Sequence, residues 1–370
     1  MRIVVTGADG FIGRNLRWRL RELGHDDVVA LTRATPVERW EERLRGAGFV
    51  FHLAGVNRPP DPALYDAGNA GVTDALCRAL ARSGSDATVV YASSTQAELD
   101  NPYGRSKRAA EERLFAHARE RGSAVHVFRL PNVFGKWSKP DYNSAVATFC
   151  HRIARGEEIV VHDAAAPLRL LYVDDVVAAF AALLGQRDAP GGFGEAGPIH
   201  ETTVAELAAT IRGFAASRES LVTPRVGAGL VRALYATYVS FLPRDRFAYD
   251  VPRHADPRGV FIEMLKTPDC GQFSCFTALP GVTRGGHYHH TKTEKFLVIA
   301  GTARFGFRDI ESGETHELVV RGGDGRIVET VPGWTHDITN IADDELVVML
   351  WANEVFDRQR PDTVAMQVRP

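Results

Sequence analysis

Three groups of side chains have the types and spacing that chemistry needs. The first is the turn Thr6-Gly7-Ala8-Asp9-Gly10-Phe11-Ile12-Gly13. Gly7 permits a tight bend, Gly10 lets backbone approach a phosphate, and Gly13 lets a helix pack closely. The N–H groups opening that helix are then offered to a pyrophosphate. The second group is Tyr103-Gly104-Arg105-Ser106-Lys107. Four residues apart, Tyr103 and Lys107 share one helix face. A phenol titrates near ~10 and is a poor acid or base unaided; a nearby ammonium is expected to lower that value. Ser94, ending the preceding strand, is placed to hydrogen-bond a substrate carbonyl. The third group is His287-Tyr288-His289-His290 with Glu294, followed later by Pro332-Gly333-Trp334-Thr335-His336 and Asn340. On a strand, His287 and His289 point the same way. Glu294 after a turn and His336 on a partner strand complete a shell that suits Zn²⁺, Fe²⁺, Mn²⁺ or Ni²⁺. His290 is out of phase and reads as an outer or substrate-facing group.

Each group also has a plainer reading. Many strand–turn–helix units carry glycines without a ligand, a lone Tyr/Lys pair is usually a surface helix face, and one H-x-H is usually a His-rich turn. Context shifts the balance. The glycines follow an apolar strand, the Tyr/Lys pair follows a Ser-rich strand end, and four ligand types fall on an all-β pattern. Leu31-Thr32-Arg33 ends the second strand, where an acidic residue would bind the ribose 2′-hydroxyl of NAD. Arg33, with Arg14, instead suits a 2′-phosphate and so NADPH.

The elements that must position these groups change character along the chain. Up to about Leu184, buried strands are expected at Ile3–Thr6, Val28–Thr32, Val50–Ala54, Thr88–Ser93 and Val125–Arg129. Helical stretches lie at Gly13–Leu23, Val72–Arg82 and Tyr103–Arg121, the last capped by Asn101 with Pro102 at its first position. This alternation predicts an α/β doubly wound parallel sheet. A further helix is expected at Ala205–Ala216 behind Thr202-Thr203. From about Phe247 short alternating runs broken by Gly, Pro and Asp predict an antiparallel barrel or sandwich. Pro243, Pro252 and Pro257 mark the change, dividing the chain into 1–245 and 246–370.

The 370 residues allow about two domains. Apolar residues at 45% and charged ones at 24% exclude disorder and fibrous classes. A formal charge of -2 gives no basic field for nucleic acid. Cys77, Cys150, Cys270 and Cys275 form no C-x-x-C pair; Cys270 and Cys275 are spaced for a disulfide, but the usage fits reduced, buried thiols. Neither a signal-peptide pattern nor a membrane-length apolar run is present, which predicts a cytoplasmic protein without membrane insertion.

The N-terminal part resembles the extended short-chain dehydrogenase/reductase family. The resemblance rests on the glycine turn, the Tyr/Lys pair, His52-Leu53-Ala54-Gly55, Asn69, Arg129-Leu130-Pro131-Asn132-Val133-Phe134-Gly135 and Tyr172-Val173-Asp174-Asp175-Val176. It implies a Rossmann-type fold with Tyr103 as acid/base and Lys107 orienting the cofactor ribose. Ser94 would polarise the carbonyl, and Asn132 would lie near the substrate. It also implies a cofactor site built from Gly7, Gly10, Phe11, Ile12, Gly13, Arg14, Arg33 and Ala54, together with Tyr103 and Lys107. Two departures stand out. The stretch from Arg33 to Val50 is too short for a full crossover, so the family's third strand is expected to be missing or much reduced. The loop from Ser94 to Tyr103 is also trimmed.

The C-terminal part resembles the cupin family, whose motifs G-x5-H-x-H-x4-E-x6-G and P-G-x-x-H-x3-N run from Gly281 to Gly301 and from Pro332 to Asn340. The pairing, with HLAGVNRP, SSTQAELDNPYGRSK, PNVFGKW, HHTKTEKFLV and PGWTHDITN, is similar to bifunctional capsular-polysaccharide and O-antigen enzymes of the UDP-N-acetyl-L-fucosamine pathway. That resemblance implies a homodimer with zinc in the cupin and a UDP-linked 4-keto amino sugar as substrate. The cupin would epimerise C3, and the reductase would then reduce C4 with NADPH to give UDP-2-acetamido-2,6-dideoxy-L-talose. Epimerase acid/base candidates are His290, Tyr288, Lys292 and Asp337.

Overall fold

The computed structural model describes residues 1–186, 189–256, 259–262, 264–265, 267, 271–354, 357 and 359–369. The apolar run Arg2–Thr6 forms β1, and Gly10 opens α1 (Phe11–Glu22). There follow β2 (Val28–Leu31), a short α2 (Trp40–Leu44), β3 (Ala47–His52), a single turn α3 (Leu64–Asp66), α4 (Val72–Ser83) and β4 (Thr88–Ser94). Helix α5 (Pro102–Arg121) starts where expected, with the Asn101 side chain accepting the Gly104 N–H at 2.8 Å. Next come β5 (Val125–Leu130), β6 (Asn132–Phe134), α6 (Ala145–Ala154), β7 (Pro167–Tyr172) and α7 (Val173–Ala182). The elements β8 (Gly192–Gly194), β9 (Ile199–Thr203), α8 (Val204–Ser220) and α9 (Gly229–Ser240) complete this part. Thr203 and Glu206 form a capping box on α8.

Six strands make a parallel sheet in the order β2-β1-β3-β4-β5-β8. Only a 3₁₀ turn (Val37–Arg39) and α2 separate β2 from β3. Among the described residues no strand lies outside β2, so the family's third strand is missing as the short segment predicts. Val4, Val50, Val89 and Val127 are buried in this sheet and covered by Leu76, Leu80 and Leu114. Burial of each such side chain stabilises by about 1.5–3 kcal/mol.

The β-rich part comprises β10 (Ala248–Asp250), β11 (Arg253–Asp256), β12 (Gly259–Ile262), β13 (Gln272–Ala278), β14 (Thr283–Tyr288) and β15 (Glu294–Ala300). It continues with β16 (Thr302–Asp309), β17 (Thr315–Arg321), β18 (Arg326–Glu329), β19 (Trp334–Asn340), β20 (Leu346–Ala352) and β21 (Val364–Ala365). Two five-stranded sheets result, β10-β18-β15-β20-β13 and β17-β16-β19-β14-β21. The pairings are antiparallel, and β11–β12 is a separate hairpin. Phe296 of one sheet meets Phe305 of the other at 5.7 Å between ring centroids, which places the core between the sheets as in a cupin-like barrel.

The chain divides into two compact units. One holds Met1–Phe134, Asp141–Ser144 and Leu168–Thr202; the other holds Gly135–Pro140, Ala145–Pro167 and Thr203–Pro370. Helices α6, α8 and α9 therefore group with the barrel. A buried ionic network fastens α8 and α9 there. Glu329 on β18 accepts from Lys295 Nζ on β15 at 2.5 Å and from the Tyr235 hydroxyl on α9 at 3.0 Å, and it pairs with Arg218 on α8. Burial opposes the Glu329 charge, but Lys295 and Arg218 outweigh it and hold the carboxyl down at about 2. No helix among the described residues is long and apolar enough to cross a membrane. Cys77 and Cys150 are free thiols; the expected readings of Cys270 and of the Cys275 side chain lie outside the described residues.

Candidate active sites

In the first unit, Gly7 has φ +62°, and a Cβ there would lie 2.7 Å from the Ala54 nitrogen. A Cβ on Gly13 would lie 2.3 Å from the Gly7 carbonyl oxygen. The glycines thus let the turn, the first turn of α1 and the segment after β3 nest together. Phe11 and Ile12 begin α1 on a Gly10 cap that makes no side-chain hydrogen bond, so the first-turn N–H groups have no capping side chain. Thr6 Oγ1 accepts from the N–H groups of Leu53 and Ala54 at 3.2 and 3.1 Å. Thr73 donates to the Asn69 carbonyl, so His52 Nε2–H donates to Thr73 at 2.9 Å and Nδ1 accepts from Thr6 at 2.8 Å. Burial, aided by Lys107, pushes His52 down to about 3. Arg14 is half-buried and Arg33 is exposed.

Asn69 lies in a π-helical turn, Ala67–Gly71, and accepts from the Val56 N–H while donating to Ser106 Oγ at 3.0 Å. Such turns often mark functional sites. Tyr103 hydrogen-bonds with Ser94 and lies 5.5 Å from Tyr65 between ring centroids. Lys107 is buried, donates to the Ala92 carbonyl at 2.7 Å and sits 4.4 Å over the Tyr91 ring. Burial pushes Lys107 down to about 7 against the opposing pull of Glu111. Burial also raises the Tyr103 hydroxyl, with Tyr65 and Tyr142 adding to the rise and Ser94 opposing it. The expected lowering of Tyr103 by Lys107 is therefore corrected: the ammonium is engaged by Ala92 and Tyr91, and burial of the phenol dominates. A protonated phenol beside a serine hydroxyl is suited to giving a proton to a carbonyl oxygen as it gains electrons. Asn132 is exposed at the start of β6.

In the barrel, His287 on β14 pairs directly with His336 on β19, and a bulge at Gly285–His287 turns the His287 side chain inward. The ring centroids lie 4.7 Å apart for this pair, 5.0 Å for His287 and His289, and 5.2 Å for His289 and His336. Glu294 enters from the other sheet. One ligand atom from each of these four residues lies within 4.8 Å of the others, a spread that slight closing brings to the ~3.4 Å of a tetrahedral shell with ~2.1 Å bonds.

The hydrogen bonding fits a cation. A carbonyl can only accept, so His289 Nδ1–H donates to the Asp362 carbonyl. That leaves Nε2 facing Glu294 Oε2 at 3.1 Å, within reach of a shared cation. His336 Nε2 stands 3.4 Å from the same oxygen, and both His336 ring nitrogens are buried without a formed hydrogen bond. A positive ion between them satisfies all three atoms. Burial opposes the Glu294 charge, yet His289 and His336 beside it hold the carboxyl well below its usual range. Burial and the neighbouring His336 and His289 push His287 down to about 3, toward the neutral, ligating form.

The four base candidates separate. Lys292 is buried with Nζ 2.9 Å from Glu294 Oε1. Asp337 follows His336 on β19 and takes the opposite face, where a Cβ on Gly306 would touch it. Tyr288 follows His287 on β14 in the same alternating way and stacks edge-on with His290 at 5.6 Å.

Residues 3–194 match the NAD dependent epimerase/dehydratase family, more than half of the chain. The chain belongs to this family. Residues 254–364 match a polysaccharide biosynthesis C-terminal domain. The chain is 56% identical over 368 residues to the UDP-2-acetamido-2,6-beta-L-arabino-hexul-4-ose reductase of Pseudomonas aeruginosa, covering 100% of this chain and 99% of that one. Its fold is similar to the capsular polysaccharide assembling protein CapF of Staphylococcus aureus, with a TM-score of 0.68, 39% identity and full coverage of both chains. It also matches MoeE5 in complex with UDP-glucose and NAD, with a TM-score of 0.52 and 27% identity over 58% of this chain and 81% of that one.

Two supporting groups escaped the sequence reading of this family member. Glu111 accepts from Ser93 and, through both oxygens, from Arg129 at 3.1 and 2.6 Å. Arg129 therefore braces β5 against α5. The i, i+4 step from Lys107 to Glu111 was the available signal. Asp362 accepts from the N–H groups of His290, Thr291 and Lys292. Burial opposes its charge, but the nearby histidines and these N–H groups hold the carboxyl well below its usual range. It stands 73 residues beyond His289, and no local pattern announces it.

Proposed function

We propose that the chain is a bifunctional enzyme of polysaccharide precursor synthesis. Its substrate is a UDP-2-acetamido-2,6-dideoxy-4-keto-hexose. Residues 246–370 epimerise C3, and residues 1–245 reduce C4 with NADPH to give UDP-2-acetamido-2,6-dideoxy-L-talose. What carries this reading is the end-to-end 56% match to a UDP-sugar 4-ketone reductase, with Ser94, Tyr103 and Lys107 gathered on β4 and α5.

NADPH, when bound, supplies the hydride to C4. Ser94 orients the C4 carbonyl and Tyr103 delivers a proton to its oxygen, so the ketone becomes a secondary alcohol. Lys107 sits on the same face as Tyr103 and is assigned to orient the cofactor ribose. Arg14 and Arg33 would hold the 2′-phosphate, and Asn132 would face the sugar. In the barrel, His287, His289, Glu294 and His336 would hold one divalent ion, which we assign as Zn²⁺ from its imidazole-rich shell. Such an ion supplies a Lewis acid for a carbonyl oxygen. The C4 ketone acidifies the C3 hydrogen, and Lys292, the candidate ion-paired to Glu294, is the base or acid we favour. His290 is assigned to the substrate side. We further assign the protein to the cytoplasm as a homodimer, which light scattering tests.

NMR of products formed from the 4-keto sugar nucleotide tests the reading. Stoichiometric NADPH oxidation and a 4-hydroxy product with inverted C3 are expected; a 4-hydroxy product with C3 retained would remove the epimerase half. The printed activity of the Pseudomonas aeruginosa relative is a reductase alone. That favours a second reading, a single-activity reductase whose barrel is structural or dimerising, and the same spectra decide between the two.

A further inference from the structure

We propose that Asp362 is the positioning residue of the barrel's metal centre: its backbone carbonyl sets the tautomer of His289, and its carboxylate pins the turn that aims His289 and Lys292 at Glu294. The inference rests on the metal reading above. The carboxylate takes four donors from one turn. Oδ1 accepts the His290 N–H at 2.9 Å, and Oδ2 accepts the Thr291 N–H at 2.6 Å, the Thr291 hydroxyl at 2.9 Å and the Lys292 N–H at 2.7 Å. The same residue's carbonyl takes the His289 Nδ1–H. With that nitrogen occupied, Nε2 is the only ring atom left for a metal, which is how outer partners orient ligating histidines.

The segment carrying Asp362 is itself fastened to two ligand strands. Val364 and Ala365 pair with Tyr288 and His287. The Met366 N–H donates to the Gly286 carbonyl at 2.8 Å, and the Thr335 hydroxyl donates to the Met366 carbonyl. Arg232 reaches Thr291 from α9, within the same unit. A fastener with no bearing on the ions would hold the turn without touching a ligand ring; Asp362 does both.

The test uses the full chain, titrated with Co²⁺ and followed by its visible absorption, with Zn²⁺ measured by competition against a chromophoric chelator. Asp362→Ala is expected to weaken both ions by about 10–100-fold and to shift the Co²⁺ bands. Asp362→Asn, which keeps the shape but not the charge, should lose less, and Thr291→Ala, which deletes one of four donors, under about threefold. Circular dichroism and urea unfolding of the full chain report that the barrel of each variant is folded. Wild-type affinity and bands in Asp362→Ala would overturn the positioning role and leave the metal reading standing. Failure of the wild-type chain to bind Co²⁺ would overturn both. Should Asp362→Ala not fold, the other two variants decide, and wild-type affinity in both would overturn the role.

Discussion

The reductase-type site draws on one stretch of chain: Ser94 ends a strand, and Tyr103 and Lys107 lie on the helix that follows. The barrel site draws His287 and His336 from one sheet and Glu294 from the other, and a tail residue holds its turn. Their electrostatics differ as much. Burial drives both Tyr103 and Lys107 toward their uncharged forms. Glu294 stays ionised against burial because imidazoles surround it. A site that must hand over a proton keeps one. The cluster that we propose holds a cation keeps a negative charge, even at a desolvation cost.

The most forceful way to break this contrast is Tyr103→Phe. Loss of the proton donor should slow reduction by about 10²–10⁴-fold, read as NADPH oxidation, while metal content stays at the wild-type level. Loss of less than tenfold would remove Tyr103 from the chemistry. Next comes Lys295→Met, which leaves Glu329 buried beside only Arg218 and Tyr235. Such broken buried pairs cost about 3–5 kcal/mol, and urea unfolding should show a loss of that order. No change would mean that the network is not what fastens α8 and α9 to the barrel.

Smaller effects sharpen the reductase side. Arg33→Ala should reduce the preference for NADPH over NADH by about tenfold, or roughly 1.4 kcal/mol, in a comparison of kcat/KM for the two cofactors. An unchanged ratio would leave Arg33 as a solvated side chain. Lys107 gives a pH signature. Its value is about 7 in the fold against 10.5 ordinarily. Below pH 7 the charge is buried in full and destabilises; between about pH 7 and 10.5 the folded state sheds its proton first, so stability rises with pH. Urea unfolding of the cofactor-free protein at several pH values should show that rise in wild type and a weaker one in Lys107→Met. Parallel profiles would contradict the burial of a titrating lysine.

Much of this was readable from local pattern. Asn101 and Pro102 announce α5, and the short run after Arg33 announces the missing strand. H-x-H with a later P-G-x-x-H announces two paired strands, and the structure places His287 directly opposite His336. What was hidden depends on three-dimensional surroundings. The direction of the Tyr103 shift turns on burial, which spacing does not report. Glu111 and Arg129 meet because β5 packs beside α5. Asp362 sits in a Pro-Asp-Thr segment that reads as an ordinary turn, and only the fold brings its carbonyl to His289. The grouping of α8 and α9 with the barrel follows from side chains such as Glu329, far along the chain from those helices.

Solvent exchange tests the central claim, two distinct chemistries on one chain, most directly. The Tyr103→Phe variant is incubated with the 4-keto sugar nucleotide in D₂O without NADPH, and C3 is observed by NMR. The account predicts deuterium at C3, lost when His289→Ala is added to the same chain. Unlabelled C3 in Tyr103→Phe, alongside a wild-type protein that oxidises NADPH with the same substrate, would contradict it and leave a reductase alone.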